Sequence, residues 1–200
     1  MTQEFWNTRY GAAGFAYGLT PNRFLAEHVH LLAPGGRVLL PAEGEGRNAI
    51  FLAKQGFAVT CFDQSDVGVK KARALAAKNH VSIEAAAADA MAFDYPPGHY
   101  DAVALIFAHL PPRVRHHLHA KTVETLKPGG LVLLYAFSPE QLHYASGGPK
   151  DPTMLYSEAT LRKDFAACSE ILLLETNLES LSEGTSHQGD GAVISLIARK

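Results

Sequence analysis

The stretch RVLLPAEGEGRNAIFLA (residues 37–53) determines the fold prediction, because an apolar segment is followed by two glycines and then by a helical pattern. Residues 37–42 are mostly apolar and lie between turn-forming residues, which is typical of a buried strand. Glycines follow at positions 44 and 46, and Ala49, Ile50, Leu52 and Ala53 then lie at helical spacing. We therefore predict a strand, a tight turn and a helix, the repeating unit of a parallel α/β sheet.

The same alternation continues on both sides of this unit. A helix over 20–32, capped by Thr20 with Pro21 at its first position, is expected before it. Further strands are predicted at 57–63, 81–89, 100–110, 131–137, 169–181 and 191–200, and further helices at 65–79, 111–126 and 158–166. The last two strands are joined by 182–190, so they predict a terminal hairpin with one antiparallel strand. We expect an α/β fold in three layers, with a doubly wound, mostly parallel seven-stranded sheet in a single domain over 1–200.

Composition narrows the classes of function. The chain is 47% hydrophobic and 19% charged with a net charge of -2, so nothing in its charge favours nucleic acid or an anionic membrane as a partner. No apolar run reaches the length of a membrane span, and the N-terminal residues do not resemble a signal peptide. The two cysteines, Cys61 and Cys168, form neither a C-x-x-C pair nor a disulfide framework. A reduced, cytoplasmic, soluble protein is expected, and its oligomeric state is left open.

The glycine turn predicts a ligand site. Gly44, Gly46 and Ala49 fit G-x-G-x-x-[GA], and the turn lies at the carboxyl end of a strand, where ligands bind in such sheets. The helix that follows points its N-terminal amides at the same place. Asp63 ends the next strand, seventeen residues after Gly46, and its carboxylate can accept two hydrogen bonds from a ribose. An adenosine-bearing cofactor is therefore expected.

Two such cofactors differ in what they place on the turn. A nicotinamide dinucleotide places a pyrophosphate there, whereas S-adenosylmethionine places a short methionine tail. Three features favour the second: the terminal strand pair, the segment LKPGGLVLL (126–134), and a leading segment of some 36 residues that can fold over a ligand.

Six segments together resemble class I S-adenosylmethionine-dependent methyltransferases. More narrowly, they resemble the tellurite-resistance and thiopurine methyltransferase-like branch. The segments are FWNTRY (5–10), YGLTPNRFL (17–25), LLPAEGEGRNAIFLA (39–53), FDQS (62–65), LKPGGLVLL (126–134) and EGTSHQGDGAVISLIARK (183–200). The resemblance implies a Rossmann-like methyltransferase fold, S-adenosylmethionine as cofactor, a lid and helix over 1–36, a cofactor-binding core over 37–137, and a substrate loop and hairpin over 138–200.

The resemblance also implies the site residues. The cofactor contacts would be Arg9, Tyr17, Glu43, Gly44, Gly46, Asp63, Gln64, Asp89, Ala90 and Phe107. Arg9 would pair with the cofactor carboxylate and Asp63 would hold the ribose. Leu40 and Ala42 depart from the usual turn, which has an acid and a glycine at these positions, so Glu43 is the candidate acid for the cofactor amino group.

Two histidines are candidate catalytic residues. A soft acceptor, such as a thiolate or a reduced selenium or tellurium species, needs little help from a base. A hydroxyl or amine acceptor needs more, and His109 or His187 could accept its proton. FAHLPP (107–112) replaces the Asn/Asp-Pro-Pro-Tyr run, which by resemblance argues against amino-methylation of nucleic acid or protein amides. By the same resemblance, a small molecule or a small inorganic ion is the expected substrate.

Three further histidines, His116, His117 and His119, are predicted to lie on a solvated helix face, and no metal site is expected. Two alternatives stay open. The chain could bind S-adenosylmethionine without turnover, or it could be an NAD(P)-dependent oxidoreductase that uses the same turn and Asp63.

Overall fold

Seven strands form one sheet in the computed structural model, which describes residues 2–200. The strand order is β3-β2-β1-β4-β5-β7-β6. The strands are β1 Arg37–Pro41, β2 Ala58–Asp63, β3 Glu84–Ala87, β4 Tyr100–Ile106, β5 Leu126–Phe137, β6 Glu170–Glu183 and β7 His187–Arg199. Strand β7 runs antiparallel to both of its neighbours, and the other observed pairings are parallel. The predicted mostly parallel seven-stranded sheet with one antiparallel hairpin strand is confirmed.

Six α-helices connect and cover the strands. They are α1 Gln3–Gly11, α2 Arg23–His28, α3 Arg47–Lys54, α4 Asp66–Lys78, α5 Pro112–Thr125 and α6 Glu158–Asp164. Ser65 caps α4 as predicted, since its hydroxyl accepts from the Gly68 amide at 3.0 Å. The predicted cap of α2 is wrong, because Asn22 rather than Thr20 accepts from the Leu25 amide.

The core lies on both faces of the sheet, because neighbouring residues of each central strand point to opposite sides. In β1, Val38 and Leu40 pack into one apolar cluster with Leu52 of α3, whereas Leu39 packs into another with Leu118 of α5. These three residues of β1 are at most 1% exposed. This double burial explains why the strand reads as a continuous apolar run.

The C-terminal hairpin differs from the prediction in length. Strands β6 and β7 extend to Glu183 and His187, so the connection is 184–186 rather than 182–190. The segment 138–157 contains two short 3-10 helices, Pro139–His143 and Pro152–Met154. Within residues 2–200, no helix combines the length and apolar character that crossing a membrane requires.

Candidate functional site

A cavity of about 400 Å³ opens at the carboxyl ends of the central strands. It lies where the chain order reverses between β1 and β4, the usual ligand position in doubly wound sheets. Residues of α1 and of the segment that follows it line the opposite wall. Ten of the twelve predicted site residues line it: Arg9, Tyr17, Glu43, Asp63, Gln64, Asp89, Ala90, Phe107, His109 and His187.

Gly44 and Gly46 are the two predicted site residues that are not among the lining residues. Gly44 has φ +63, and a Cβ built on it would lie 2.5 Å from the Tyr10 hydroxyl oxygen. Gly46 has φ +90, and its Cβ would lie 2.7 Å from the Ala72 Cβ. The missing side chains therefore make room for the lid and for α4, and the contact of these glycines with the cofactor stays a prediction.

Asp63 lies at the end of β2 with its carboxylate held by backbone amides. Its Oδ2 accepts from the Gly44 amide at 3.0 Å, and its Oδ1 accepts from the Ser65 amide at 2.8 Å. Burial raises its pKa to about 6, against these two hydrogen bonds, which lower it. Each carboxylate oxygen can accept a second hydrogen bond, so the group is oriented and can still bind hydroxyls.

Glu43 caps helix α3 from inside the turn. Its Oε1 accepts from the amides of Asn48 at 2.7 Å and Ala49 at 2.9 Å, and its Oε2 accepts from the Asn48 side-chain amide at 3.1 Å. A carboxylate thus already occupies the helix N-terminus, where a dinucleotide would place its pyrophosphate. A second anion there would be repelled, which argues against the dinucleotide alternative.

Two residues at the cavity hold positive φ angles without being glycine. Ala42 has φ 54 and Phe107 has φ 51. Ala42 replaces the glycine usual at this position of the turn, so the turn keeps its left-handed conformation at some cost in strain. Phe107 directs its ring into the aromatic end of the cavity, 4.7 Å from the Phe137 ring and 4.4 Å from the His187 ring.

The lid is attached to the glycine turn by charged groups. Glu45 is 5% exposed, and its carboxylate pairs with the Lys71 ammonium at 2.8 Å and accepts from the Ala16 amide at 2.7 Å. Within the lid, the Arg9 guanidinium lies 5.4 Å from the Trp6 ring centroid and donates to the Tyr17 hydroxyl at 2.8 Å. Arg9 and Tyr17 are therefore held at the cavity mouth.

A buried ion pair, which the sequence reasoning missed, supports His187. The Arg47 guanidinium lies 2.7 Å from the Glu183 carboxylate, and Asn22 donates to the other oxygen of Glu183 at 2.8 Å. Burial would raise the pKa of Glu183, but hydrogen bonds and charge from His187, Arg47 and Asn22 lower it to about 2. Because Arg47 and Glu183 are far apart in sequence, no local pattern could have indicated the pair.

His187 is the first residue of β7 and not a loop residue, and it is 4% exposed. Its Nδ1 lies 3.4 Å from the Glu183 carboxylate, which favours a proton on Nδ1. Its Nε2 makes no hydrogen bond within residues 2–200, and the side chain lines the cavity. Burial lowers the pKa of His187, although Glu183 raises it, so the neutral ring is favoured.

His109 does not have a nitrogen available for catalysis. Its Nδ1 lies 2.7 Å from the Met154 carbonyl, and its Nε2 accepts from the Phe137 amide at 3.0 Å. Burial lowers its pKa to about 4. The prediction of His109 as a general base is therefore corrected: it joins the ends of β4 and β5 to the 3-10 helix at Pro152–Met154.

The predicted solvated histidine face is wrong for His119, which is 1% exposed. Its Nδ1 lies 2.8 Å from the Asp164 carboxylate, which also contacts Arg115 at 2.9 Å and His116 at 3.1 Å. This network joins α5 to α6. In the part of the chain that the structure describes, no group of three or more histidine, cysteine or acidic side chains is arranged to hold a metal ion.

Comparisons with known proteins agree with this geometry. Residues 38–130 match the family model described as a methyltransferase domain. No curated protein matches the chain in sequence.

Solved structures share the fold at low sequence identity. One, described as "Conversion of a Disulfide Bond into a Thioacetal Group during Echinomycin Biosynthesis", is 21% identical, with a TM-score of 0.77 over 99% of this chain and 92% of that chain. TehB from Haemophilus influenzae is 19% identical, with a TM-score of 0.73 over 99% of this chain and 66% of that chain. A SAM-dependent methyltransferase from Methanosarcina mazei is 18% identical, with a TM-score of 0.70 over 91% of this chain and 99% of that chain.

Proposed function

Residues 38–130 match a methyltransferase domain, and on that premise we propose that this chain is a class I S-adenosylmethionine-dependent methyltransferase whose cavity brings the cofactor together with a small-molecule acceptor. One observation carries the proposal: Asp63 presents an oriented carboxylate to the cavity while Glu43 fills the helix N-terminus beside it. The first feature suits a ribose, and the second disfavours a pyrophosphate. A cavity of about 400 Å³ falls within the usual range for small-molecule sites.

The cofactor would lie along the strand ends. Asp63 would hold the ribose hydroxyls, with Gln64 beside the adenosine, and Asp89 and Ala90 would meet the adenine edge. These residues lie at or just after the carboxyl ends of β2 and β3 and line one end of the cavity. Arg9 would pair with the cofactor carboxylate, because a guanidinium fork fits a carboxylate well and its ring contacts already orient it.

Glu43 has a different role from a contact with the cofactor amino group. Its two oxygens already accept three hydrogen bonds from the start of α3, and burial raises its pKa. We assign it to fixing the turn at the cofactor rather than to a primary contact with the amino group.

The cofactor supplies an electrophilic methyl group whose transfer leaves a neutral thioether. The protein therefore needs no acid for the leaving group, and its task is to align the acceptor and exclude water. Phe107, Phe137, Tyr17 and the His187 ring enclose the other end of the cavity. For an acceptor that must lose a proton, His187 Nε2 can accept it, while Glu183 holds the proton on Nδ1 and stabilises the resulting charge.

The acceptor is proposed to be a small molecule with a soft nucleophile, a thiol or a reduced selenium or tellurium species. Support comes from the enclosed aromatic walls, which would shield a polarisable nucleophile from water. The resemblance of the terminal segments to the tellurite-resistance and thiopurine methyltransferase-like branch supports the same class.

Calorimetric titration with S-adenosylhomocysteine, and with NADH and NADPH in parallel, tests the proposal on the wild type and Asp63→Ala. We expect micromolar binding of S-adenosylhomocysteine that Asp63→Ala abolishes, and no binding of the nicotinamides. Nicotinamide binding in place of S-adenosylhomocysteine would overturn it. An acceptor screen with thiols and chalcogen oxyanions follows, and cofactor binding without turnover on any acceptor would favour a binding protein.

A further inference from the structure

Acidic and basic side chains that line the cavity belong to different elements of the fold. The carboxylates of Glu43, Asp63 and Asp89 lie at or just after the carboxyl ends of β1, β2 and β3. The cationic side chains are Arg47 at the start of α3, Arg9 in the lid and Lys150 in the loop after β5. The carboxylates suit hydroxyl groups of a ligand, and a cation that has no partner in the protein suits a negatively charged group.

The loop that carries Lys150 is fixed against the aromatic end of the cavity by two glycines. A Cβ on Gly147 would lie 2.6 Å from the His187 ring, and a Cβ on Gly148 would lie 2.7 Å from the Phe137 ring. Both glycines have positive φ, at +116 and +81. Glycine alone therefore allows the loop to approach these rings so closely, and Lys150 follows two residues later.

The three cations at the cavity differ in their partners. Arg47 is neutralised by Glu183 at 2.7 Å, and Arg9 is assigned above to the carboxylate of the cofactor. Lys150 is exposed at the cavity mouth, and within residues 2–200 its ammonium group has neither a hydrogen bond nor a carboxylate partner. The cofactor brings no second carboxylate that could use this charge.

We propose that Lys150 binds a negatively charged group on the acceptor, so that the substrates are small anionic molecules with an apolar body. The body would lie against Phe107 and Phe137, and the carboxylate or oxyanion would lie at Lys150. The attraction between Lys150 and this group makes charge a basis for selection among small molecules. The inference rests on the proposed function, because it assumes that the cofactor fills the other end.

A matched pair of unreactive probes tests this. The probes are 4-methoxybenzoate and 4-methoxybenzamide, which have nearly the same shape and differ in charge. Each is titrated into the complex of the protein with S-adenosylhomocysteine, using the wild type, Lys150→Met and Lys150→Arg. Lys163→Met is the control, because Lys163 is an exposed lysine of α6 that does not line the cavity.

We expect the wild type to bind the benzoate about threefold more tightly than the amide, as one exposed charge pair would give. Lys150→Met should abolish this preference, Lys150→Arg should retain it, and Lys163→Met should match the wild type. Equal affinity for the two probes, no binding of the benzoate, or an unchanged preference in Lys150→Met would overturn the inference. Failure of S-adenosylhomocysteine to bind is measured first and would instead overturn the proposed function.

Discussion

Replacing Glu183 with Gln tests how strongly the buried ion pair holds the C-terminal hairpin to the cofactor-binding core. The change keeps the size of the side chain and removes its charge. Arg47, whose side chain is 8% exposed, is then left without a carboxylate partner. Removing one partner of a buried ion pair usually costs about 3–5 kcal/mol, because the remaining charge stays desolvated.

The pKa of Glu183 gives an independent magnitude. Its fall from the ordinary 4.5 to about 2 means that the folded state favours the charged carboxylate. Each pKa unit corresponds to about 1.36 kcal/mol, so the effect is about 3 kcal/mol. The side chain is only 13% exposed, so solvent screening reduces this little. We expect Glu183→Gln to lower the free energy of unfolding by about 3 kcal/mol at pH 7.

The pH dependence has a defined sign. Because the pKa is lower in the folded protein, the stabilisation is complete above pH 4.5 and is lost as the pH falls through about 2. Urea unfolding of wild type and Glu183→Gln between pH 7 and pH 3 measures the difference. Glu175→Gln is the control, since Glu175 is an exposed residue of the same strand and should change stability by no more than about 0.5 kcal/mol. A difference at pH 7 no larger than that of the control, or one that grows on acidification, would refute the reasoning.

Two substitutions in the glycine turn and one pH profile give three further predictions. Gly44→Ala should lower the free energy of unfolding by about 1–3 kcal/mol and weaken S-adenosylhomocysteine binding, because its Cβ would collide with Tyr10 at a positive φ. Adding Tyr10→Phe to this variant should restore part of the stability and part of the affinity, and unchanged thermal unfolding of Gly44→Ala would contradict the predicted collision. Ala42→Gly should raise the free energy of unfolding by about 0.5–1 kcal/mol, because glycine adopts φ 54 without strain. A lower free energy of unfolding in urea would show that Ala42 is not strained. Affinity for S-adenosylhomocysteine should rise about tenfold from pH 5 to pH 7, because the Asp63 carboxyl has a pKa of about 6 and binds hydroxyls best when ionised. An affinity that calorimetry finds independent of pH would show that Asp63 does not bind the ribose.

Local sequence pattern was sufficient for the architecture. The segment 37–41 is largely apolar because β1 is buried on both faces, and turn-forming residues flank it. The same pattern located the other strands. The position of Asp63 at the cavity also followed from the sequence, because carboxyl ends of parallel strands meet at one edge of the sheet. The alternation between strand and helix is a short-range property, so a single sequence can contain it.

The roles of individual polar side chains needed the tertiary structure. Nothing near His109 indicates that the Met154 carbonyl and the Phe137 amide use both of its nitrogens. Nothing near Arg47 indicates a partner in β6. Hydrogen bonds and ion pairs depend on separations of a few ångströms between segments that are distant in sequence, whereas periodicity reports only which face of an element is buried. The sequence by itself therefore determined the sheet and the edge at which the ligand site lies, and only the folded chain decided which histidine faces the cavity with a nitrogen available.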